Sequence, residues 1–389
     1  SCLCGLCALP GSLSAMRIID LKTPCALVDL DRFERNCVRM ADRAQALGVR
    51  LRPHVKTHKC VAAARIQTRD QFGGITVSTL AEARGFANGG SRDITYAVPL
   101  PLDRLDECAD LTRSLDRFHI LLDHPVTLAA LEEFAAANGV RFSAFLKVDC
   151  GLHRAGVDPS RDDSIALAQR IHASGHLDFA GILTHAGHSY SGHTADESRI
   201  VARHERDVMV QFRDRLLDAG VSVAEVSVGS TPTASAADDL TAVTEIRPGN
   251  YAFFDVFQVA IGSCSVADVA FSVLATVIGR NDDRQELLVN AGATALGKDP
   301  GPVHVDPECG FGVVVAGEEQ SPVEALAVTS LSQEHGVIRS ECPLDGRWQP
   351  GTRLRILPNH SCLAAICFDR YHVVRGEEVV DEWRPLRGW

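Results

Sequence analysis

The stretch RFHILLDHPVTLAALEEFAAANGVRFSAFLKV, residues 117–148, contains one complete strand–helix–strand unit. Residues 118–122 and 142–148 are short apolar runs of the length that is typical of strands. Residues 125–138, between them, carry apolar side chains three and four positions apart, which is typical of an amphipathic helix. This order predicts two parallel strands joined by a crossover helix.

The same unit recurs from residue 25 to about residue 255. The predicted strands are residues 49–53, 74–77, 94–98, 118–122, 142–148, 179–183, 224–228 and 242–246, and the predicted helices include residues 31–47, 80–88, 125–138 and 197–219. Eight strands that alternate with helices predict an α/β fold, a (β/α)8 TIM-type barrel, with an open doubly wound sheet as the main competitor. No G-x-G-x-x-G motif follows an early strand, which weakens the open-sheet interpretation.

Helical periodicity is nearly absent after about residue 261. Closely spaced apolar runs with turn residues between them follow instead, at residues 269–278, 286–289, 312–315, 323–331, 353–357, 363–367 and 372–374. This pattern predicts a mostly antiparallel β domain. The predicted division is a tail and an N-terminal strand of the β domain in residues 1–22, the barrel in residues 23–258, and the C-terminal β domain in residues 259–389.

Length, charge and composition exclude several classes of protein. The chain has 389 residues, of which 46% are hydrophobic, and a formal net charge of −11 at pH 7. This length is enough for two domains that each bury a core. The excess of acid, without a block of Lys or Arg, argues against nucleic acid or an anionic membrane as a partner. Apolar stretches such as residues 269–279 are shorter than the roughly 18 residues that span a bilayer.

The cysteines are thirteen in number and are scattered without the spacing of a disulfide framework. An odd number in a long chain predicts reduced thiols in a cytoplasmic-type compartment. Residues 1–15 hold Cys2, Cys4 and Cys7, but they lack both the partner cluster of a metal knot and the basic region of an export signal. We therefore expect a poorly ordered tail, or an over-extended start, before Met16.

Polar clusters follow the predicted barrel strands at the ends where such barrels carry their catalytic groups. They are PHVKTHK (53–59) after the first strand, DCGLHR (149–154) after the fifth, THAGHSY (184–190) after the sixth, GSTPT (229–233) after the seventh and RPGNY (247–251) after the eighth. The backbone and hydroxyl groups of GSTPT suit a phosphate monoester, with Gly249 and Asn250 as further donors. An ordinary helix N-cap would look similar.

Lys56 is the candidate reactive group. A lysine at a barrel strand end, beside two histidines and near Arg154, can attack a carbonyl carbon. Lys59 is the rival, and we expect it in solvent. Together with a phosphate site on the same rim, a Schiff-base lysine indicates pyridoxal 5'-phosphate. The alternative is that Lys56 pairs with a structural carboxylate such as Asp149.

The β domain adds a candidate metal site. His360 and Cys362 lie two positions apart in PNHSC (358–362), and on an extended strand both side chains would point the same way and chelate one ion. Imidazole and thiolate favour zinc, with positions left open for water or substrate. Another divalent ion such as manganese is the alternative. In QEHG (333–336), Gln333, Glu334 and His335 are candidates for orienting a ligand, and a plain β-turn is the alternative.

Seven motifs in the same order resemble the D-serine dehydratase and D-threonine aldolase family of fold-type III pyridoxal-phosphate enzymes, which have an alanine-racemase-like barrel. They are RPHVKTHK (52–59), GLHRAG (151–156), THAG (184–187), GSTPT (229–233), RPGNY (247–251), SQEHG (332–336) and PNHSC (358–362). The resemblance extends from about residue 23 to Trp389. It is nearest to the D-serine and 3-hydroxy-D-aspartate dehydratases, because the aldolases carry an acidic residue where this chain has Cys362.

The resemblance implies a role for each group of residues. Lys56 forms the Schiff base with the cofactor, Arg154 approaches its phenolic oxygen, and Tyr190 lies by its pyridine ring. The metal is held by His360 and Cys362. The implied cofactor site as a whole consists of His54, Lys56, Arg154, His185, Tyr190, Gly229, Ser230, Thr231, Thr233, Gly249 and Asn250. The resemblance also implies a homodimer.

The expected function is a pyridoxal-phosphate- and zinc-dependent dehydratase acting on a D-3-hydroxy amino acid: D-serine, D-threonine or 3-hydroxy-D-aspartate. Lys56 would take the α-proton, and zinc would make the β-hydroxyl a tolerable leaving group, giving a 2-oxo acid and ammonia. The alternatives are aldolase cleavage to glycine and an aldehyde, an amino-acid racemase, and a non-catalytic carrier. A racemase needs a second base, and Tyr371 is the only tyrosine in the predicted β domain. Neither a racemase nor a carrier accounts for His360 and Cys362.

Overall fold

The computed structural model describes residues 16–316 and 321–389 and builds them around two sheets. In these residues the strands are β1 (Cys25–Asp29), β2 (Arg50–Leu51), β3 (Ile75–Val77), β4 (Asp93–Pro99), β5 (Arg117–Leu122), β6 (Phe142–Lys147), β7 (Leu177–Leu183), β8 (Glu225–Val228), β9 (Glu245–Ile246), β10 (Phe271–Asn281), β11 (Glu286–Val289), β12 (Gly312–Ala316), β13 (Ser321–Leu331), β14 (Gly336–Ser340), β15 (Arg353–Pro358), β16 (Tyr371–Arg375) and β17 (Glu378–Trp383). The helices are α1 (Leu30–Ala46), α2 (Val61–Gln67), α3 (Leu80–Asn88), α4 (Leu105–Ser114), α5 (Pro125–Asn138), α6 (Asp162–Ala173), α7 (Ala195–Asp218), α8 (Thr231–Ala236), α9 (Val256–Ala260), α10 (Ala293–Leu296) and α11 (Ser361–Ala365).

The expectations for the chain as a whole concern its N-terminal tail, its cysteines and membrane-spanning segments. The tail expected in residues 1–15, with its three cysteines, lies outside the described residues. The ten cysteines inside them all have free thiols. No helix in the described ranges is both long enough and apolar enough to cross a membrane.

Strands β2 to β9 form the predicted barrel. All their pairings are parallel, in the order β2-β9-β8-β7-β6-β5-β4-β3. A parallel bridge between His54 and Thr76 joins the two ends of this sheet. Each of the eight predicted runs overlaps one of these strands, so the (β/α)8 prediction is confirmed and the open-sheet alternative is wrong. The carboxyl ends of all eight strands therefore meet at one rim.

The barrel strands bury side chains on both faces. Leu121, Phe145 and Leu183 form a small buried cluster of their own, whereas their neighbours Leu122 and Leu146 belong to the large core. Because adjacent strand residues point to opposite faces, the small cluster fills the barrel and the large core lies between the barrel and its helices. Burial on both faces explains why these strands are nearly continuous apolar runs in the sequence.

The second sheet confirms the predicted mostly antiparallel β domain. Its strand order is β11-β14-β13-β12-β15-β10-β1-β16-β17, and an additional pairing of β10 with β11 closes it. The β1–β16 pair is parallel, and the other pairs in this sheet are antiparallel. Strands β1, β14 and β17 are absent from the predicted runs. Exposed residues interrupt the apolar pattern of β14 and β17.

Strand β1 belongs to this second sheet although its residues fall within the range assigned to the barrel. It pairs with β10 on one side and with β16 on the other. Ala26, Leu27 and Val28 are fully buried, as barrel residues are. Local sequence therefore cannot distinguish β1 from a barrel strand, and only its long-range pairing does.

The strand predicted at residues 363–367 is wrong. Strand β15 ends at Pro358, and the short helix α11 follows it. The carbonyl oxygen of His360 accepts the backbone N–H groups of Leu363 and Ala364, at 3.2 and 3.1 Å. Leu and Ala are strong helix formers, and this preference prevails over the apolar run that suggested a strand.

Gly181 in β7 provides a test of stability. Its φ is +146°, and a Cβ there would lie 2.0 Å from the carbonyl oxygen of Glu225 in the neighbouring strand β8. We expect Gly181→Ala to lower the free energy of unfolding by about 3 kcal/mol or more, because backbone strain and overpacking each cost about 1–3 kcal/mol. Chemical denaturation measures the change. Gly175→Ala is the control, since a Cβ there meets nothing within 4 Å, and equal losses in the two variants would contradict the prediction.

Candidate active site

The loops at the carboxyl ends of the barrel strands and the turn after β15 enclose a cavity of 630 Å³. This cavity is lined by most of the site residues that were expected from the sequence. They are His54, Lys56, Arg154, His185, Tyr190, Gly229, Ser230, Thr231, Gly249, Asn250, His360 and Cys362. Thr233, Gln333 and His335 do not line it.

Lys56 lies in the short 3₁₀ segment Val55–Thr57 that follows β2. Its side chain is exposed to the cavity, and no ion pair with a carboxylate is found for it among the described residues. Asp149, the alternative partner, instead accepts hydrogen bonds from the backbone N–H and the ring of His153, at 3.0 and 2.9 Å. The proposed ion pair between Lys56 and Asp149 is therefore absent from this part of the chain.

Lys59 does not lie in solvent, so that expectation is wrong. It has a φ of +52°, its amino group forms an ion pair with Glu82, and its side chain is only 15% exposed. The buried Glu82 also accepts hydrogen bonds from the backbone N–H and the hydroxyl of Ser78. This pairing commits Lys59 to a structural contact and leaves Lys56 as the lysine of the motif that faces the cavity.

His54 and His185 stand beside Lys56 in the interior. Burial lowers the pKa of both imidazoles well below the usual 6.5, and the charge of Lys56 lowers it further. Both rings are therefore neutral at pH 7. Nδ1 of His54 accepts the backbone N–H of Lys56 at 3.4 Å, and Nδ1 of His185 lies 3.4 Å from the carbonyl oxygen of Gly229.

Two glycines allow the loops after β8 and β9 to approach their neighbours closely. Gly229 has a φ of +109°, and a Cβ on Gly249 would lie 2.7 Å from the carbonyl oxygen of His54. Ser230 is the N-cap of α8: its Oγ accepts the backbone N–H of Thr233 at 3.3 Å. The Thr233 hydroxyl accepts the backbone N–H of Ser230 in return, at 2.9 Å. Thr233 thus shapes this loop from outside the cavity.

The cavity is strongly cationic. Lys147, Arg154 and Arg247 line it together with Lys56, and no carboxylate is found among its lining residues in the described chain. Burial, followed by the charge of Arg247, lowers the pKa of Lys147 to about 8. Burial also lowers the pKa of Arg247 to about 10. Cations at this density favour an anionic ligand.

Sequence reasoning missed Lys147 and Arg247. Lys147 closes a strand that is apolar apart from Ser143. A lysine within such a run is a signal that could have identified it, because lysine is rarely buried without a function or a partner. Arg247 belongs to the RPGNY motif (247–251), but no role was predicted for it. Its guanidinium group donates to the hydroxyl of Ser227 and to the carbonyl oxygen of Thr184, so the barrel interior holds it in place.

Tyr190 lies in the 3₁₀ segment Gly187–Ser191 after β7. Burial raises the pKa of its hydroxyl, which therefore stays protonated at neutral pH. Behind this loop, the buried carboxylate of Glu205 on α7 accepts the backbone N–H groups of Ala186 and Gly229, at 3.1 and 3.0 Å. Glu205 thereby fastens the loop of Tyr190 to the loop that follows β8.

His360 and Cys362 line the cavity from the β domain, but not from a strand. His360 is the N-cap residue of α11, and Cys362 lies in its first turn. Nδ1 of His360 lies 3.1 Å from Oδ2 of Asp299, and the thiol of Cys362 lies 3.3 Å from Oγ1 of Thr57. The two side chains lie together as expected, but a short helix, and not the predicted strand, brings them together.

Charge interactions couple the two side chains. Burial lowers the pKa of His360, but its hydrogen bonds to Asp299 and Cys362 outweigh burial and raise it to about 11. Burial raises the pKa of Cys362, and the hydrogen bond and charge of His360 outweigh it and lower the pKa below its ordinary value. The described residues hold no group of three or more His, Cys, Asp or Glu side chains able to bind a metal. An ion held here would have two protein ligands and open positions.

Gln333 and His335 lie in the turn between β13 and β14. The backbone N–H of Ser332 donates to the carbonyl oxygen of His335 at 2.8 Å, and both candidate side chains are exposed. Nε2 of Gln333 donates to Oε1 of Glu334 at 3.2 Å. A β-turn describes this segment, and the role of Gln333 and His335 toward a ligand stays a prediction.

An eight-stranded parallel barrel with a lysine at its rim, joined to an antiparallel β domain, defines the class of fold-type III pyridoxal-phosphate enzymes. Two family models match the chain, "Alanine racemase, N-terminal domain" over residues 28–256 and "Putative serine dehydratase domain" over residues 270–374. The chain belongs to the D-serine dehydratase and D-threonine aldolase family of lyases, whose barrel is alanine-racemase-like.

Three relatives illustrate this membership. D-threo-3-hydroxyaspartate dehydratase of Delftia sp. (strain HT23) is 40% identical over 96% of this chain and 99% of its own. Its solved structure superposes with a TM-score of 0.91 at 38% identity, covering 96% of this chain and 100% of the other. D-serine dehydratase of Dictyostelium discoideum is 36% identical over 96% and 98% of the two chains. The solved D-threonine aldolase of Filomicrobium marinum is more distant, with 26% identity, a TM-score of 0.84 and coverage of 97% and 98%.

Proposed function

We propose that this chain is a pyridoxal-phosphate- and zinc-dependent dehydratase that converts a D-3-hydroxy amino acid to a 2-oxo acid and ammonia. The observation that carries the proposal is that Lys56 and the His360–Cys362 pair line one cavity. A β-elimination needs a base for the proton on Cα and an acid for the hydroxyl on Cβ, and these are the two groups. The dehydratases among the relatives support the same class of reaction.

The cavity fits pyridoxal phosphate in its donor set. Cationic side chains line it, no carboxylate is found among its lining residues in the described chain, and Gly229 and Gly249 let the loops after β8 and β9 pack closely around it. When bound, the cofactor supplies an aldehyde for attachment of amines and a ring that stabilises negative charge at Cα. We assign Lys56 as its covalent anchor. The other residues assigned to it are Gly229, Ser230, Thr231, Gly249 and Asn250 at the phosphate, with Thr233 in support, and His54, Arg154, His185 and Tyr190 around the ring.

The His360–Cys362 pair fits a divalent cation, and its donor set favours zinc. Imidazole and thiolate are preferred zinc ligands, whereas manganese prefers oxygen donors. A zinc ion at this position supplies Lewis acidity toward a hydroxyl group. A variant of D-threo-3-hydroxyaspartate dehydratase has been solved in a metal-free form, which supports a metal in the family.

The side chains of this protein have separate roles in the proposed reaction. Lys56 Nζ accepts the proton from the α-carbon of the substrate. His360 and Cys362 would hold the divalent ion, which would supply Lewis acidity to assist departure of the β-hydroxyl. The neutral rings of His54 and His185 fill the space beside Lys56 without adding a competing charge. The product of this elimination is an enamine, which water converts to the 2-oxo acid and ammonia.

The tyrosine considered as the second base of a racemase does not face the cavity. Tyr371, the tyrosine considered for that role, is fully buried. Its hydroxyl donates to the carbonyl oxygens of His58 and Ala365, at 3.1 and 3.2 Å, and it does not line the cavity. Tyr371 therefore has a packing role in the described chain.

A product assay tests the proposed reaction. Purified protein loaded with pyridoxal phosphate and zinc is incubated separately with D-serine, D-threonine and 3-hydroxy-D-aspartate, and L-serine serves as the stereochemical control. We expect the matching 2-oxo acid and an equal amount of ammonia from at least one D-substrate, and none from L-serine. Glycine and an aldehyde as the products would contradict the proposal and identify the enzyme as an aldolase.

A further inference from the structure

Asp299 contacts His360 of the proposed metal site but has no part in the chemistry proposed above. It lies in the segment 297–311, which connects α10 to β12. Its Oδ2 is 3.1 Å from Nδ1 of His360, and both side chains are partly shielded from solvent. The two residues are 61 positions apart in sequence, so the contact depends on how this segment folds over the turn after β15.

Asp299 is itself held in a fixed position. Its Oδ1 accepts the backbone N–H of Gly301 at 2.8 Å. Gly301 has a φ of +72° and packs so tightly on Asn359 that a Cβ would lie 2.3 Å from its Nδ2. Asn359 is buried and donates from Nδ2 to the carbonyl oxygen of Gly310 at 2.7 Å. The segment is therefore fastened near both of its ends to the residue that precedes His360.

An imidazole that binds a metal ion offers one ring nitrogen to the ion and carries a proton on the other. A carboxylate that accepts this second N–H fixes both the tautomer and the plane of the ring. With Nδ1 of His360 directed at Asp299, Nε2 is the nitrogen that remains for the ion. Losing such a carboxylate typically weakens metal binding by about ten- to a hundredfold.

We propose that Asp299 positions His360 for the metal ion by accepting the Nδ1–H of its ring. This inference rests on the proposed metal site at His360 and Cys362. Asp299 is a positioning residue, because it acts through His360 and does not touch the ion. The 299–301 turn and the Asn359 contact make the position of its carboxylate a property of the fold.

The zinc affinity of the pyridoxal-phosphate-loaded protein, measured by competition with a chromophoric chelator, tests this role. We expect Asp299→Ala to weaken zinc binding by about ten- to a hundredfold. Asp299→Asn keeps an oxygen acceptor and should restore most of the affinity. Asp306→Ala, in the same segment, is the matched control and should bind zinc like the parent, because Asp306 is exposed and its Oδ1 accepts the local backbone N–H of Glu308.

Two further measurements separate positioning from general damage and from failure of the metal site. With Co²⁺ in place of zinc, Asp299→Ala should keep the thiolate charge-transfer band of Cys362 and shift the ligand-field bands, and unchanged bands would overturn the inference. Zinc affinity of Asp299→Ala within twofold of the parent, while His360→Ala loses zinc, would also overturn it. If His360→Ala retains zinc, the proposed metal site is wrong and the inference falls with it.

Discussion

Lys56→Ala protein is expected to show no measurable turnover and no visible absorbance from lysine-bound pyridoxal phosphate. Removing the amine eliminates both the covalent anchor and the base for the α-proton, so the rate should fall by at least about 10⁴-fold. Absorbance spectroscopy of the purified variant reads the first effect, and the 2-oxo acid assay reads the second. Turnover retained by this variant would contradict the assignment of Lys56.

Lys147 is the informative control because it is the other lysine that lines the cavity. It is only 6% exposed, and its Nζ donates to the carbonyl oxygen of Val148 at 3.0 Å. We expect Lys147→Met to keep the covalent bond between lysine and cofactor. Borohydride reduction followed by peptide mapping of the parent protein should place the label on Lys56, and a label on Lys147 would reassign the anchor.

The barrel could be predicted from the sequence because its signal is local. Strands such as β5 and β6 are mostly buried and stand out as apolar runs, and helix α5 between them buries Leu128, Leu131 and Ala135, which are three and four positions apart. Strand β1 has the same local character and belongs to the other sheet. Its location depends on pairing with β10 and β16, which are distant in sequence, and no local pattern encodes that choice.

The candidate site also has one part that local sequence predicts and another part that depends on long-range contacts. Residues that follow strand ends, such as Lys56 and Ser230, could be grouped because parallel strands bring their carboxyl ends to one rim. The pair His360 and Cys362 could be predicted from its donor types and spacing, although it lies at the start of a short helix and not on a strand. Asp299 had no such signal, because it lies in an irregular segment and meets His360 only in the folded chain.

Cys362→Ala protein is expected to keep its cofactor and to lose both zinc and elimination. Removing the thiolate leaves His360 as the one protein ligand of the proposed pair, and a single imidazole does not hold a divalent ion against solvent. Without the ion, hydroxide must leave unassisted, which removes several kcal/mol of transition-state stabilisation, or more than about a hundredfold in rate. Metal analysis, cofactor absorbance and the 2-oxo acid assay on one preparation measure the three effects.

Cys367→Ala is the matched control for this experiment. Cys367 lies five positions after Cys362, just beyond the end of the same short helix. It is exposed and contacts the carbonyl oxygen of Leu363. This variant should retain zinc and activity. An unchanged zinc content in Cys362→Ala would refute the metal site. Lost elimination together with lost cofactor would instead mean that Cys362 supports the cofactor cavity, since its thiol also contacts Thr57, the neighbour of Lys56. The three readings on one sample thus separate a ligand from a packing residue.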